Sequence, residues 1–309
     1  MKHKFSLSCV IVTKNRPESL LRLLRSMALQ SLRTHQVVVV NDGGACLSAE
    51  ALKREIAGTN EESQLGPQLI LIENARSVGS GEARNAGVKA SAGEIILLLD
   101  DDVELLSPDF LERGLAGFQE NIVGIVFPKK LDVSRGETLE LSLFIERELT
   151  GELVRSNFEN ESEKVGNSVI YGPMVAFVRR KAFLDVDGYD SVYGLGIGHS
   201  FREESDFQKR VQSEGWAVKL VPEISFKHHI QPSGGHGPNQ FKKVFWIAHN
   251  QAVFGFRHLK KWPMKQIFFL GIELPRYAWG NGRFLTYPAG LLGSGAGLVT
   301  AFFKQGQRK

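Results

Sequence analysis

An apolar run of strand length, Glu94-Ile95-Ile96-Leu97-Leu98-Leu99, delivers three consecutive carboxylates, Asp100, Asp101 and Asp102. Two unit charges about 4 Å apart repel by roughly 4 kcal/mol at an effective dielectric near 20. Three aspartates at the rim of a buried strand therefore need a cation among them, and a divalent metal is the foremost candidate. A solvated acidic turn is the bland alternative, preferred for a triplet standing alone. The polar sets elsewhere in the chain decide between the two.

Three more strand-like runs end in such sets. Residues 8–12 lead to Thr13-Lys14-Asn15-Arg16, residues 37–40 to Asn41-Asp42-Gly43-Gly44, and residues 69–72 to Glu73-Asn74. Runs apolar on both faces belong to a parallel sheet covered by helices. Pro17 opens a helix with Leu20, Leu21, Leu24, Met27 and Ala28 at helical spacing. Ligands of open α/β sheets sit beyond the carboxyl ends of the strands, so sets far apart in sequence meet on one rim. Gly79-x-Gly81 precedes a short helix over residues 82–92; it lies too late in the chain for a dinucleotide fingerprint, and the dehydrogenase reading is discarded.

Beyond residue 120 the pattern becomes α+β. Residues 122–127 read as a strand, residues 135–164 as polar helix and loop, and residues 169–177 as a return to the core. A helix over 201–214, a strand over 217–221 and an edge segment over 222–229 with paired histidines complete a first domain, residues 1–239. No internal repeat is visible.

With 309 residues, 42% hydrophobic and 23% charged, the chain has the composition of a folded globular protein and not of a disordered one. Cys9 in a strand and Cys46 in a loop give neither a disulfide framework nor a metal spacing. That usage, and a start without a signal-peptide pattern, predict a cytosolic setting. The net charge of +4 hides an asymmetry: residues 240–309 hold eleven Lys and Arg against one acid, Glu273, a local net of +10. Trp246, Trp262 and Trp279 lie in the same stretch. Basic residues among aromatics suit an anionic membrane surface, and no nucleic-acid-binding motif accompanies them.

Taken in order, Thr13-Lys14-Asn15-Arg16-Pro17, Asn41-Asp42-Gly43-Gly44, Ala83-Arg84-Asn85-Ala86-Gly87, Leu99-Asp100-Asp101-Asp102, Glu203-Glu204-Ser205-Asp206-Phe207 with Arg210, and His228 resemble the inverting, metal-dependent glycosyltransferases of family two. The resemblance covers roughly residues 6–230 and implies the GT-A fold, an α/β architecture with a mostly parallel central sheet flanked by helices. It also implies a nucleotide-diphosphate sugar donor of UDP or dTDP type and a divalent cofactor, magnesium or manganese. Thr13, Asn15, Arg16, Asp42, Arg84, Asp100 and Asp101 are the implied donor-binding residues. Asp42 would accept from the imide of a pyrimidine ring, and Arg84 would lie near the phosphates. Asp102, Asp100 and His228 are the implied metal ligands, with His229 a bystander. Glu204 is the implied catalytic base, although the family more often has aspartate there, and Asp206 is the second candidate. Asp206 also stands four residues before Arg210, a spacing that allows a plain helical salt bridge. Gly188-Tyr189-Asp190 and the glycine-rich loop 194–199 occupy the acceptor side and allow closure, while Trp216 reads as core.

Residues 284–303 carry no charge over a length of about 30 Å as a helix. Pro288, Gly290, Gly293, Gly295 and Gly297 argue against a lone membrane span, so an interfacial element is expected, with a basic helical subdomain packed on the catalytic domain as the plainer alternative. The expected protein is a glycosyltransferase acting on a glycan or lipid-linked acceptor, cytoplasmic or peripheral on the inner face of the cell membrane. A non-catalytic nucleotide-sugar or glycan-binding module and a sugar nucleotidyltransferase are its rivals.

Overall fold

The computed structural model describes residues 5–57, 68–134, 137–140, 143–146, 153–156, 166, 168–170, 172–195, 201–229, 239–276 and 284–305. Continuous apolar runs become β1 (Leu7–Thr13), β2 (Gln36–Asn41), β3 (Gln68–Glu73) and β4 (Ile95–Asp100). They lie parallel in the order β3-β2-β1-β4, with Thr13 opposite Asn41, Asn41 opposite Glu73 and Val12 opposite Asp100. That register brings the four polar strand ends to one rim.

Side chains alternate across this sheet, so each face builds its own core. Cys9 and Ile11 face α1 (Pro17–Ala28), whose Leu20, Leu23, Leu24 and Met27 are buried; α2 (Ala49–Ala57) adds Leu52 and Ile56. Val10, Val38 and Val40 face α3 (Ser80–Ala90). Gly87 of α3 is required by this packing, because a Cβ there would lie 2.4 Å from Val10.

After β5 (Val103–Leu105) and α4 (Phe110–Ala116) the sheet turns mixed. β6 (Val123–Ser134) is followed by β7 (Glu137–Glu140), β8 (Leu143–Glu146), β9 (Leu153–Ser156), β10 (Val169–Ile170) and β11 (Val175–Arg179). The segment read as helix and loop over 135–164 thus contains three short strands where it is described. The cue was the alternation Leu139, Leu141, Leu143, Ile145, a period of two and not of 3.6. β11 runs antiparallel between β4 and β6.

α5 (Arg180–Asp185), α6 (Glu203–Ser213) and β12 (Ala217–His229) close the sheet. Residues 222–229 are not an edge: β12 continues between β6 and β5, and β5 is the outer strand. Pro222 cannot donate to the ladder, and the strand accommodates it in a register shift between Val221 and Ser225.

The chain then enters α7 (Gln240–His258), α8 (Trp262–Phe268), which continues through a π-turn (Phe269–Glu273), and α9 (Tyr287–Gln305). The glycines of α9 have a packing role. A Cβ at Gly293 would sit 2.1 Å from the Phe245 carbonyl oxygen and one at Gly297 2.3 Å from that of His249. α9 can lie against α7 at this distance because those side chains are missing. Val253, Phe254 and Ala301 share a cluster with Val192 and Tyr193 of the preceding region, so the helical tail is packed on it. Among the described residues no helix is long and apolar enough to cross a membrane.

Candidate active site

At the shared rim the aspartate triplet meets arginines. Arg16, the N-cap residue of α1, reaches Asp101 with Nη2 at 2.7 Å and Nε at 3.1 Å, and Asp102 with Nη1 at 2.7 Å. Thr13 Oγ1 donates to Asp101 at 2.6 Å. Asp101 has no exposed surface; burial pushes its carboxyl up to about 7, against the pull of Arg16 and Thr13. Asp102 is raised as well, by burial and by Asp100, with Arg16 and His228 opposing. The cations beside the triplet in this structure are thus guanidinium groups.

His228 arrives by strand pairing, opposite Val103 on one side and Asp132 on the other. Its Nδ1 lies 2.7 Å from Asp132 Oδ1, which leaves Nε2 facing Asp102 Oδ2 at 3.8 Å. His229 turns away to Glu104 at 2.7 Å. The fit to a divalent cation rests on one atom: Asp102 Oδ1 is buried and has no hydrogen-bond partner among the described residues. An orphaned oxygen on the carboxylate that the oriented imidazole nitrogen faces through its other oxygen, Oδ2, gives a donor set that magnesium or manganese accepts. Among the described residues no three His, Cys, Asp or Glu already converge as a complete shell, and Asp100 is turned to Arg84.

Arg84, buried on α3, joins the two halves of the site. Its Nη2 contacts Asp100 Oδ1 at 2.5 Å and Glu204 Oε1 at 3.3 Å, and Nη1 stands 3.9 Å from Glu203 Oε1. Its guanidinium lies over the Tyr189 ring, 5.4 Å from the centroid. The next residue, Asn85, exchanges two hydrogen bonds with the Tyr189 backbone, at 2.8 and 2.9 Å. The Ala-Arg-Asn-x-Gly sequence therefore places a cation, ties residues 188–190 to α3 and packs that helix on β1.

Glu204 stands in the first turn of α6 and, with Arg84, Leu98, Phe127, Met174 and Phe207, lines a small cavity of about 10 Å³, room for about one water. Burial, with the charges of Asp100 and Glu203 adding to it and Arg84 opposing, pushes its carboxyl up to about 8. Glu203 is also raised, mainly by burial, while Ser80 Oγ donates to it at 3.0 Å. A carboxylate poised near neutral pH suits general-base work.

Asp42 organises the neighbouring loop. It accepts from Asn74 Nδ2 at 3.0 Å, Ser77 Oγ at 2.5 Å, and the amides of Val78 and Gly79 at 2.8 and 3.1 Å. Burial alone would raise its carboxyl, but these bonds hold it below the ordinary range. They fill the four lone-pair positions of a carboxylate. Asn15, in the left-handed region at φ 55°, accepts from the Ala45 amide at 2.9 Å and so ties the first polar loop to the second.

Asp206 is placed elsewhere. It has no exposed surface and is held by Arg210 Nε at 2.7 Å, His258 Nε2 at 2.8 Å and Tyr193 Oη at 3.1 Å. Burial acts to raise it, but His258 and Arg210 hold it far below the carboxylate range. A saturated, buried carboxylate cannot take a proton from a substrate, so Asp206 is a tie between α6 and α7. Of the loop 194–199, residues 196–199 lie outside the described residues. Trp216 packs at the edge of the second core, its Nε1 donating to Asp185 at 3.0 Å. Sequence reasoning missed Asp132 and the pairing of Arg84 with Glu203; the first is visible only in the β6–β12 register.

A family model described as Glycosyl transferase family 2 matches residues 8–186. The chain is 34% identical over 108 residues to the uncharacterized glycosyltransferase YwdF of Bacillus subtilis, covering 35% of this chain and 36% of that one. It is 28% identical over 211 residues to an N-acetylglucosaminyltransferase of Mesorhizobium japonicum, covering 67% of this chain and 47% of the relative. The chain thus spans between a third and a half of the length of these two relatives. Its fold is similar to that of GalNAc-T7 solved with UDP, GalNAc and Mn2+, with a TM-score of 0.62 at 16% identity over 93% of this chain and 56% of that one.

Proposed function

Because the chain belongs to glycosyl transferase family 2, we propose that it is an inverting, metal-dependent glycosyltransferase that moves a sugar from a UDP or dTDP donor to a hydroxyl of a glycan or lipid-linked acceptor. The observation that carries this reading is Arg84, whose one guanidinium touches both Asp100 at the triplet and Glu204 at the cavity. Donor end and base are thereby held within one side chain's reach.

When bound, a divalent cation would neutralise the leaving diphosphate as a Lewis acid, held by Asp102 and His228 with Asp100 towards the ribose. Asp132 fixes the tautomer of His228, and Arg16 keeps Asp101 and Asp102 in place. Thr13 and Asn15 shape the donor loops. The pyrimidine imide meets Asp42 when one of its present donors, the Asn74 amide, gives way.

Glu204 takes the proton of the acceptor hydroxyl. The oxygen pair so exposed bonds to the anomeric carbon as that carbon's bond to phosphate oxygen breaks, and the electron pair leaves on the nucleoside diphosphate. One in-line displacement inverts the centre. The chain works on the cytoplasmic side, resting peripherally on the inner face of the cell membrane, where a lipid-linked acceptor is presented. A panel of nucleotide sugars tested for manganese-dependent thermal stabilisation checks the donor class. Stabilisation by uridine or thymidine diphosphate sugars is expected, and indifference to every donor would overturn it.

A further inference from the structure

Among the described residues, the packing of α8 and α9 leaves one outward face without a partner. Gly293 and Gly297 turn one side of α9 against α7, and Gln266 of α8 donates to Ser294 of α9 at 3.0 Å in a buried seam. On the solvent side of that seam stand Met264 and Ile267 of α8 and Leu292, Val299, Phe302 and Phe303 of α9, each between 57% and 72% exposed. From Tyr287 to Phe303 the helix carries no charge at all. Water-soluble helices present polar residues outward, and an exposed apolar surface of this kind marks an interaction site.

The surrounding charge selects the partner. Exposed Lys260 and Lys261 immediately precede α8, exposed Arg276 follows its π-turn and exposed Lys242 lies in the first turn of α7, while the one acid of residues 240–309, Glu273, is paired with Lys265 at 3.3 Å. A second copy of the chain would set two such cationic surfaces against each other. An anionic bilayer leaflet complements them, taking the apolar side chains into the headgroup boundary and the ammonium groups at its phosphates. No described helix is both long and apolar enough to span a membrane, which suits helices lying in the plane of the interface.

We infer that the α8–α9 face is an in-plane docking surface for an anionic membrane, with Ile267, Leu292, Phe302 and Phe303 as its inserted residues and Lys260 and Lys261 as its lipid-charge contacts. This deepens the peripheral-membrane reading above and rests on it for the side of the membrane concerned. Through α7, whose His258 grips Asp206 two residues from Glu204, the surface is mechanically continuous with the base-bearing helix.

The test is flotation of the full chain with vesicles of phosphatidylcholine alone and of phosphatidylcholine mixed with phosphatidylglycerol. The chain should float with the mixed vesicles, and added salt should weaken binding. Phe302→Ser with Phe303→Ser should lower the vesicle-bound ratio by at least about tenfold. Lys260→Glu with Lys261→Glu should abolish the preference for anionic vesicles; all variants should keep the parent melting temperature. A folded chain that ignores both vesicles, binding unchanged in both double variants, or a dimer in sedimentation that the Phe302/Phe303 change dissolves would each overturn the inference. Donor turnover without vesicles is read in parallel: intact turnover without flotation refutes this surface alone, and flotation without turnover refutes the enzymatic reading alone.

Discussion

Asp132 Oδ1 lies 2.7 Å from His228 Nδ1, and this contact aims the other ring nitrogen at Asp102. The pair is built by backbone register, since β6 and β12 set the two residues opposite each other. Removal of such an outer partner typically costs 10–100-fold in metal affinity. Asp132→Ala should accordingly raise the manganese concentration needed for donor stabilisation by about that factor, with the fold intact. A titration midpoint equal to the parent's would show that His228 does not serve a metal.

Glu204 is held up to about 8 by burial, Asp100 and Glu203, and only its ionised form can act as a base. Transfer activity should therefore climb as pH rises through about 8 and then level off. Glu204→Gln should lose roughly 10²–10⁴-fold in turnover while keeping donor binding. Stability carries the opposite sign: a carboxyl raised in the folded state favours folding at low pH and loses that contribution as pH rises through its folded value. Above pH 8 the Gln variant should then melt higher than the parent, and a lower melting temperature would contradict the assignment.

Asp206 supports α6 from beneath through charges and hydrogen bonds that lie out of solvent. Breaking a buried ionic network by deleting one partner costs about 3–5 kcal/mol, so Asp206→Ala should show a large drop in urea midpoint. Its folded pKa is depressed, so its contribution is fully present above about pH 4, its unfolded value, and fades as pH falls further. The parent and the variant should converge in stability on acidification; a constant gap would refute the ionic account.

Gly293→Ala offers a test of the α7–α9 seam. Alanine favours a helix by about 1 kcal/mol over glycine, but here its Cβ would meet the Phe245 carbonyl oxygen at 2.1 Å. Overpacking of this kind costs about 1–3 kcal/mol, so the variant should melt below the parent. Gly295, with open space around its added Cβ, should tolerate alanine or gain from it, as thermal melts of both variants will show.

Much of the rim was legible because parallel strands advertise themselves as unbroken apolar runs and their ends as polar clusters. Thr13, Arg16, Asp42 and Asp100 stand at or just beyond such strand ends, whereas Arg84 and Glu204, on α3 and α6, came from the family resemblance alone. Which cation each acid meets was not legible, since Arg16 and Arg84 reach the triplet across the fold and a linear motif cannot distinguish a guanidinium from a metal. Asp132 was hidden because its meaning depends on a strand register shifted at Pro222. For Asp206 the sequence offered a second base or a helical salt bridge to Arg210; the bridge is present, and the further partners His258 and Arg257 could not be read because they come from a helix fifty residues later. The glycines of α9 looked like breakers until α7 supplied the surface they accommodate.

The central claim is that cation-bound donor and carboxylate base meet across Arg84. Its most direct measurement is the release of nucleoside diphosphate from UDP and dTDP sugars by the full chain with manganese, repeated with chelator and with Asp102→Ala. Release that requires manganese and falls by orders of magnitude in the variant is the expected result. Release that survives both chelation and the loss of Asp102 would contradict the account.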